Sequence, residues 1–299
     1  MRSRQSPEIF RLDHSSLRAS FERASAQYEQ AAVLQARIND ELIDRLSFFK
    51  LEPQGVLDLG AGTGRGALAL QRLYPQAQVL ACDIAAGMLR ELRKHPSACP
   101  SIATLCADAL QLPLKEASID LIFSNLMLQW CDDLDAAFAE VRRVLKPTGL
   151  FVFSTFGPDT LMELRTAWAA VDKQVHVNRF IDMHVVGDAV MRAGLAEPVL
   201  DVERTLVTYG EVSALMRDLK AIGAHNVAAG RSRGLTGRGR FERMRAAYET
   251  FRHDGLLPAS YEVIYGAAWG TAAKSVSSLM EGETRIPLHA IRRPGSFTK

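Results

Sequence analysis

Three aspartates and a run of glycines carry the chemistry of this sequence. Val56-Leu-Asp-Leu-Gly-Ala-Gly-Thr-Gly64 alternates Gly60, Gly62 and Gly64 just where an apolar run ends. Glycine there tolerates unusual backbone angles and lets a ligand approach the main chain closely. Asp58, two residues before the first glycine, can accept a bond from a cationic amino group. Asp83 closes the next apolar run, where a carboxylate can accept hydrogen bonds from both hydroxyls of a ribose. Asp108 stands behind a third run and ahead of Ala109-Leu-Gln-Leu-Pro113, placed to accept from an adenine amino group. A dinucleotide would use the glycines and Asp83 in the same way, and Gly62, Gly64 and Ala67 fit G-x-G-x-x-A. Asp58 and Asp108 point elsewhere, and so does Arg65-Gly66, which follows in place of the tight helix start that a pyrophosphate prefers.

Such residues need one edge at which to meet, and the hydrophobic pattern supplies it. Strands are predicted at 55–60, 78–83, 102–106, 119–124 and 150–154, with helices at 66–73, 88–94 and after the acidic start Asp132-Asp133. Strands alternating with helices at this spacing imply βαβ units and a parallel sheet, whose carboxyl edge binds ligands. Before the sheet, Leu34, Ile38, Leu42 and Leu46 repeat at helical spacing within 21–49. After it, 159–198 reads as two helices, carrying Trp168 and Val171 and then Val186 to Ala193, inserted as a lid over the sheet edge. Segments 199–209 and 261–268 are strand-like, separated by a helix near 212–222 and a basic, Gly-rich loop at 225–245. The expected architecture is α/β: one domain at 21–270 with a doubly wound, mostly parallel seven-stranded sheet. It carries an N-terminal helical cover and a helical insertion at 156–198, after the fifth strand. Residues 1–20 are expected to be flexible, and 271–299 a loose tail.

Bulk properties narrow the class. A 299-residue chain with 47% hydrophobic residues and a net charge of +2 suits one large α/β domain. No apolar run reaches membrane-spanning length and the charged start lacks a secretory signal, so a cytoplasmic location is expected. Cys82, Cys99, Cys106 and Cys131 form no CxxC pair and have no histidine at ligand spacing, so no metal site is expected.

Leu57-Asp-Leu-Gly-Ala-Gly-Thr-Gly64, Asp83, Asp108 and Ser124-Asn-Leu-Met-Leu-Gln-Trp130 together resemble the class I S-adenosylmethionine methyltransferases, over about residues 50–155. The resemblance implies that Gly60 to Gly64 contact the methionine part of S-adenosylmethionine, Asp83 the ribose and Asp108 the adenine, with Asn125 facing the methyl donor. Ile84, Met88 and Ala109, beside these aspartates, complete the expected cofactor set, and Tyr28 can reach over it as a lid residue. A wider resemblance, to the malonyl-acyl carrier protein O-methyltransferases of biotin synthesis, covers nearly the whole chain. It rests on Phe21-Glu-Arg-Ala-Ser-Ala-Gln-Tyr28 with Leu34-Gln35, Asn125 to Trp130, Ala167-Trp168, Val171-Asp172, His176-Val-Asn-Arg-Phe180, Leu219 to Ala224 and Gly230-Arg231. That family implies methyl transfer to the free carboxyl of a malonyl thioester, masking its charge from fatty-acid enzymes.

The absence of a triad or paired acid and base beside the glycines agrees with such a substrate. A carboxylate is already ionised near neutral pH and needs orientation and partial desolvation rather than a general base. A cation must still select it, and the candidates are Arg179, Lys220 and Arg231, with Gln129 and His176 as further positioning residues. Arg179 is preferred, because the insertion places it above the sheet edge. Lys220 and Arg231 can instead serve a phosphopantetheine phosphate. His184 is given no role. From Lys220 to Arg245 there are seven basic residues and one acid, Glu242. Such a run attracts an anionic partner. Under the resemblance the partner is an acidic acyl carrier protein bearing a malonyl-phosphopantetheine arm, met by Arg231, Arg233, Arg238 and Arg240. No aromatic stripe accompanies these arginines, which argues against nucleic acid. Two alternatives stay open on the same fold: a methyltransferase for another small acid or a quinone precursor, and a non-methylating assembly factor.

Overall fold

The computed structural model describes residues 11–96, 102–224, 226–231, 234 and 236–272. A helical cover comes first: α1 (His14–Ala24), α2 (Tyr28–Ala31) and α3 (Val33–Arg45). The sheet and its helices follow as β1 (Gly55–Leu59), α4 (Arg65–Leu73), β2 (Gln78–Asp83), α5 (Ala86–Lys94), β3 (Ile102–Cys106) and β4 (Ile119–Asn125). Next come α6 (Leu134–Val144), β5 (Leu145–Phe156), α7 (Met162–Ala169) and α8 (Met183–Arg192). The chain then runs through β6 (Ala196–Tyr209), α9 (Val212–Ala221), α10 (Arg238–Glu249) and β7 (Leu257–Trp269).

The strands form a single seven-stranded sheet in the order β3-β2-β1-β4-β5-β7-β6. Strands β1 to β5 pair in parallel, and β7 runs antiparallel between β5 and β6. Side-chain alternation along the central strands separates two apolar layers. Val56, Leu121, Phe123 and Val152 pack with α3, α4 and α7. Leu57, Ile122, Phe151 and Phe153 face α6 and α8. Phe151 and Phe153 stack at 4.9 Å, with Phe138 of α6 against both.

Three expectations change. The N-terminal stretch is not loose from its first residue to its twentieth: helix α1 starts at His14, where the Asp13 carboxylate accepts from the Ser16 N–H and caps it. A polar composition hid an end that is tied down by capping and by burial of Leu17 and Ser20. The insertion does hold two helices, but α8 does not roof the sheet edge; Val186, Ala189 and Val190 pack on the layer formed with α6. The basic loop is helical from Arg238, because Met244 and Tyr248 bury one face of α10 against the core. Most of the expected tail, from residue 273 onward, lies outside the described residues.

One close approach in this core is directly testable. A Cβ on Gly266 of β7 would lie 2.2 Å from Cζ of Phe153, in a layer with no room to yield. Gly266→Ala should therefore destabilise the protein by about 1–3 kcal/mol through overpacking. The expected signature is a lower denaturant midpoint at unchanged slope; an unchanged midpoint would show that Phe153 can move aside.

Candidate functional site

The sheet order reverses between β1 and β4, and their carboxyl ends open into a crevice. The glycine loop leaves β1 there, with Gly60, Gly62 and Gly64 all at positive φ of 81°, 54° and 94°. At Gly62 the substitution that matters is toward the crevice: a Cβ would face Tyr28, with its nearest atom 4.0 Å away, and fill the space. At Gly64 a Cβ would collide with Leu92 of α5, which packs under the loop. Helix α4 begins at Arg65, immediately after Gly64. A tight helix start therefore does follow the glycines, and that argument against a dinucleotide falls. Arg65 is taken up by Asp40 of α3 at 2.7 Å.

The aspartates behind the loop differ in their surroundings. Asp58 is 2% exposed, and its Oδ2 has no hydrogen-bond partner among the described residues. Burial pushes its carboxyl up to about 7, against the pull of the Ala67 N–H. An unpaired carboxylate oxygen in a dry site is costly, and a cationic group relieves that cost. Asp83 is half-buried and accepts from the Gly62 N–H at 2.9 Å and the Ala85 N–H at 2.8 Å. It thereby fastens the glycine loop to the β2–α5 turn, and burial pushes its carboxyl above the usual range. Asp108 lies two residues beyond β3; one oxygen accepts from the Leu110 N–H at 2.9 Å, and the side chain lines the crevice.

These groups border two adjoining hollows of about 100 and 50 Å³. The first is lined by Asp83, Ile84, Met88, Asp108, Ala109 and Asn125; the second by Asp58, Gly60, Gly62 and Asn125. Tyr28 lines both. Every residue expected to touch the cofactor, apart from Gly64 beneath the loop, therefore faces one crevice. The orphaned Asp58 oxygen and the bare face of Gly62 fit the amino-acid end of S-adenosylmethionine. Asp83 and Asp108 fit its nucleoside. Asn125 differs from expectation in one respect, because its amide is already engaged. It donates to the Gln35 carbonyl at 3.1 Å and accepts from Ser154 Oγ at 2.7 Å, tying the cover to the sheet.

A third, larger cavity of about 420 Å³ adjoins the crevice and shares Tyr28, Phe21, Leu126 and Trp130 with its walls. Phe21 and Trp130 meet edge to face at 5.3 Å and form the partition. Sequence reasoning gave that pair no role, since nothing local signals a contact between α1 and the turn after β4. By sequence Asp132 belongs to the acidic start of α6. Asp133 does cap α6, but Asp132 accepts from the Leu12 N–H at 2.9 Å and pairs with His14, clasping the cover shut.

The five substrate-side candidates separate in this cavity. Lys220, in the last turn of α9, lines it and is exposed. Gln129 lines it too, but its amide donates to the Leu126 carbonyl and accepts from Thr155 Oγ1, so it frames the wall. His176 lines it, stacked on Trp168. Arg179, the preferred cation, is exposed and outside the lining, because the inward position falls to its neighbour Asn178. Arg231 is turned away as well: it donates to Ser16 Oγ at 3.1 Å and to the Ala228 carbonyl, and pairs with Asp13, fixing α1. Arg233 lies outside the described residues.

The class this fold and crevice define is the class I S-adenosylmethionine-dependent methyltransferases. A family model described as a methyltransferase domain matches residues 57–153. The sheet superimposes on phosphoethanolamine N-methyltransferase 2 of Haemonchus contortus, solved with S-adenosylhomocysteine. That match has a TM-score of 0.52 at 16% identity, covering 83% of this chain and 57% of that one. The chain is 51% identical over 292 residues to the malonyl-[acyl-carrier protein] O-methyltransferase of Laribacter hongkongensis, covering 94% of this chain and 98% of that one. It is 51% identical over 273 residues to the enzyme of that name from Methylovorus sp., covering 89% and 92%. The chain belongs to the malonyl-[acyl-carrier protein] O-methyltransferase family.

The Asp58 environment sets a pH dependence. Its folded-state carboxyl titrates near 7, above the ordinary 3.8, so the unliganded protein is favoured with Asp58 neutral. That contribution to stability is complete below about pH 3.8 and is lost as pH rises through about 7. A bound ammonium group favours the ionised form, so affinity should rise with pH across that window. S-adenosylhomocysteine should bind several-fold more weakly at pH 6 than at pH 8 in calorimetry, and Asp58→Asn should bind weakly at both. A pH-independent affinity in the unsubstituted protein would show that Asp58 does not meet the amino group.

Proposed function

We infer that this protein transfers a methyl group to the free carboxyl of a malonyl thioester held by an acyl carrier protein. The product is the methyl ester from which the pimeloyl chain of biotin is built. The observation that carries this reading is the meeting of two unlike spaces at Tyr28, Leu126 and Trp130. One is a crevice bordered by three aspartates, one of them buried with an unpaired oxygen; the other is a roomy apolar cavity with Lys220 in its wall. S-adenosylmethionine, when bound, supplies an electrophilic methyl on its sulfonium sulfur. The chain supplies the rest by placement. Asp58, Asp83 and Asp108 hold the amino group, ribose and adenine, and Asn125 is fixed between Gln35 and Ser154 at the junction. The apolar walls strip water from the incoming carboxylate, which needs no proton removed. Lys220 is the cation placed to select that carboxylate over a neutral acyl end.

Carrier docking falls on α10. Arg238, Arg240 and Arg243 are exposed there, and Arg245 pairs with Glu242. Arg231 leaves the expected docking set because its guanidinium is engaged with α1. An acidic carrier meeting this helix agrees with its charge, and a cytoplasmic location belongs to the same reading. Among the described residues, no helix is long and apolar enough to cross a membrane.

The first test is transfer of labelled methyl from S-adenosylmethionine to malonyl thioesters of carrier protein and of coenzyme A, beside an acetyl control. Transfer to malonyl and not to acetyl thioester is expected; transfer to neither would sink the reading. Lys220→Ala should lose about tenfold in kcat/KM with cofactor affinity retained, as for one charged contact at an exposed rim. Equal loss in Arg179→Ala would instead restore Arg179 as the selecting cation. Arg238→Glu together with Arg243→Glu should raise KM for the carrier-bound substrate, most at low salt, because exposed charges are screened. If KM is insensitive to both charge reversal and salt, the carrier docks elsewhere.

A further inference from the structure

Most polar groups lining the 420 Å³ cavity are already satisfied by the protein. The Gln129 amide is committed at both ends, Thr160 Oγ1 bonds to Glu262, and Asn226 donates to the Val175 carbonyl and accepts from the Ala228 N–H. His176 stands apart. Its ring lies parallel to Trp168 at 3.8 Å and 8°, and its Nε2 is 2.8 Å from Asp172 Oδ1. Its Nδ1 has no partner among the described residues, although the side chain is only 13% exposed. The stack and the carboxylate hold the imidazole in one plane at the cavity wall.

Asp172 is built to stay ionised and therefore to accept. Burial opposes its charge, but the Gln174 N–H, His176 and Arg240 outweigh that and hold its carboxyl below the usual range. An ionised carboxylate fixes the proton of His176 on Nε2, which leaves Nδ1 as an acceptor in the neutral ring. The second oxygen, Oδ2, is buried without a hydrogen bond, and Arg240 Nη1 approaches it to 3.9 Å. Arg240 belongs to the arginine-rich helix α10. One unbroken line of contacts thus runs from the outer face of α10 to the cavity wall.

We propose that His176 receives an amide N–H of the substrate's pantetheine arm, positioned by Asp172, and that Arg240 joins this pair to the helix on which the carrier docks. This rests on the malonyl thioester reading above. An arm carrying amides into an apolar cavity must find partners for them, and an unpaired amide there would be costly. His176 is thereby the residue that sets how far the arm reaches toward the junction at Tyr28. Asp172 and Arg240 are positioning residues that act through it. Arg240 has two duties, docking outside and orientation inside, whereas Arg238 on the same helix has the first alone.

The test measures binding of malonyl-pantetheine, a carrier-free thioester, to the protein saturated with S-adenosylhomocysteine, by calorimetry, with KM and kcat from methyl transfer alongside. His176→Ala and Asp172→Asn should each weaken binding about tenfold. His176→Asn, which returns an acceptor at the Nδ1 position, should recover much of that loss. Arg240→Gln should weaken this carrier-free ligand at least threefold more than Arg238→Gln, in line with one lost charge contact. Binding of S-adenosylhomocysteine and the melting temperature should hold in all five variants. The proposal is overturned if His176→Ala binds malonyl-pantetheine normally, if His176→Asn loses cofactor binding along with it, or if the two arginine variants behave alike. The binding assay does not depend on methyl transfer. A protein that binds the arm through His176 yet methylates nothing would refute the malonyl reading and leave this one standing.

Discussion

Between β1 and β4 the connections of the sheet depart in opposite directions, and among the described residues no crossover helix covers the carboxyl ends of those two strands. The crevice with Asp58, Asp83 and Asp108 in its walls opens at that gap. The constraint is geometric before it is chemical, because parallel strands require crossovers and the crossovers must part somewhere. What β1 and β4 deliver there is dictated by what fits an uncovered edge: glycines that turn sharply, a buried acid, and an asparagine pinned from both sides. The cover α1–α3 then closes over residues that would otherwise face bulk water. It is held in part by exposed pairs such as Arg65–Asp40, Arg90–Glu22 and His14–Asp132. Exposed pairs are worth about 0–1 kcal/mol each, whereas burying a large apolar side chain contributes about 1.5–3 kcal/mol. Leu17 and the Phe21–Trp130 contact therefore hold the cover, and the charges set where it sits.

The edge chemistry was legible in the sequence because it is local. Glycine spacing, and an aspartate at or just beyond the end of each of three strands, can be read within a dozen residues of one another, and the sheet brings them together by rule. The parallel strands and the two helices after β5 were legible for the same reason, through their periodicity. Contacts between distant segments were not. Arg231 offers the same side chain to a reader whether it meets a substrate or Ser16, and only the fold reveals that α1 is within its reach. Arg179 and Asn178 are adjacent, and which one turns inward depends on Val227, whose N–H the Asn178 side chain accepts at 3.3 Å. Polar composition misled at the N-terminus, where capping by Asp13 and burial of Leu17 outweigh it.

The two halves of the site obey different electrostatic logic. In the crevice, Asp58 is left unpaired at the cost of a raised carboxyl, so that a cationic ligand gains what the protein forgoes. That bias favours a ligand with an amino group over a dinucleotide, which has none to offer at that position. In the cavity the sign is reversed: apolar walls carry a lysine near the rim and an imidazole within, and the complementary ligand is an anion on a long, amide-bearing arm. Each half alone would suit many molecules.

On the malonyl thioester reading, selectivity for the reaction comes from the junction between those halves. Phe21, Trp130 and Tyr28 line both spaces, so the cofactor side and the acyl side meet where these rings stand. A carboxylate that reaches the junction has left its hydration on the apolar walls and finds no acid there to protonate it. Under those conditions placement alone accounts for the chemistry, since an ionised carboxylate is already a competent nucleophile and effective molarity does the remainder. On this reading the acids of the crevice serve to bind the cofactor, and the reaction calls for no proton shuttle.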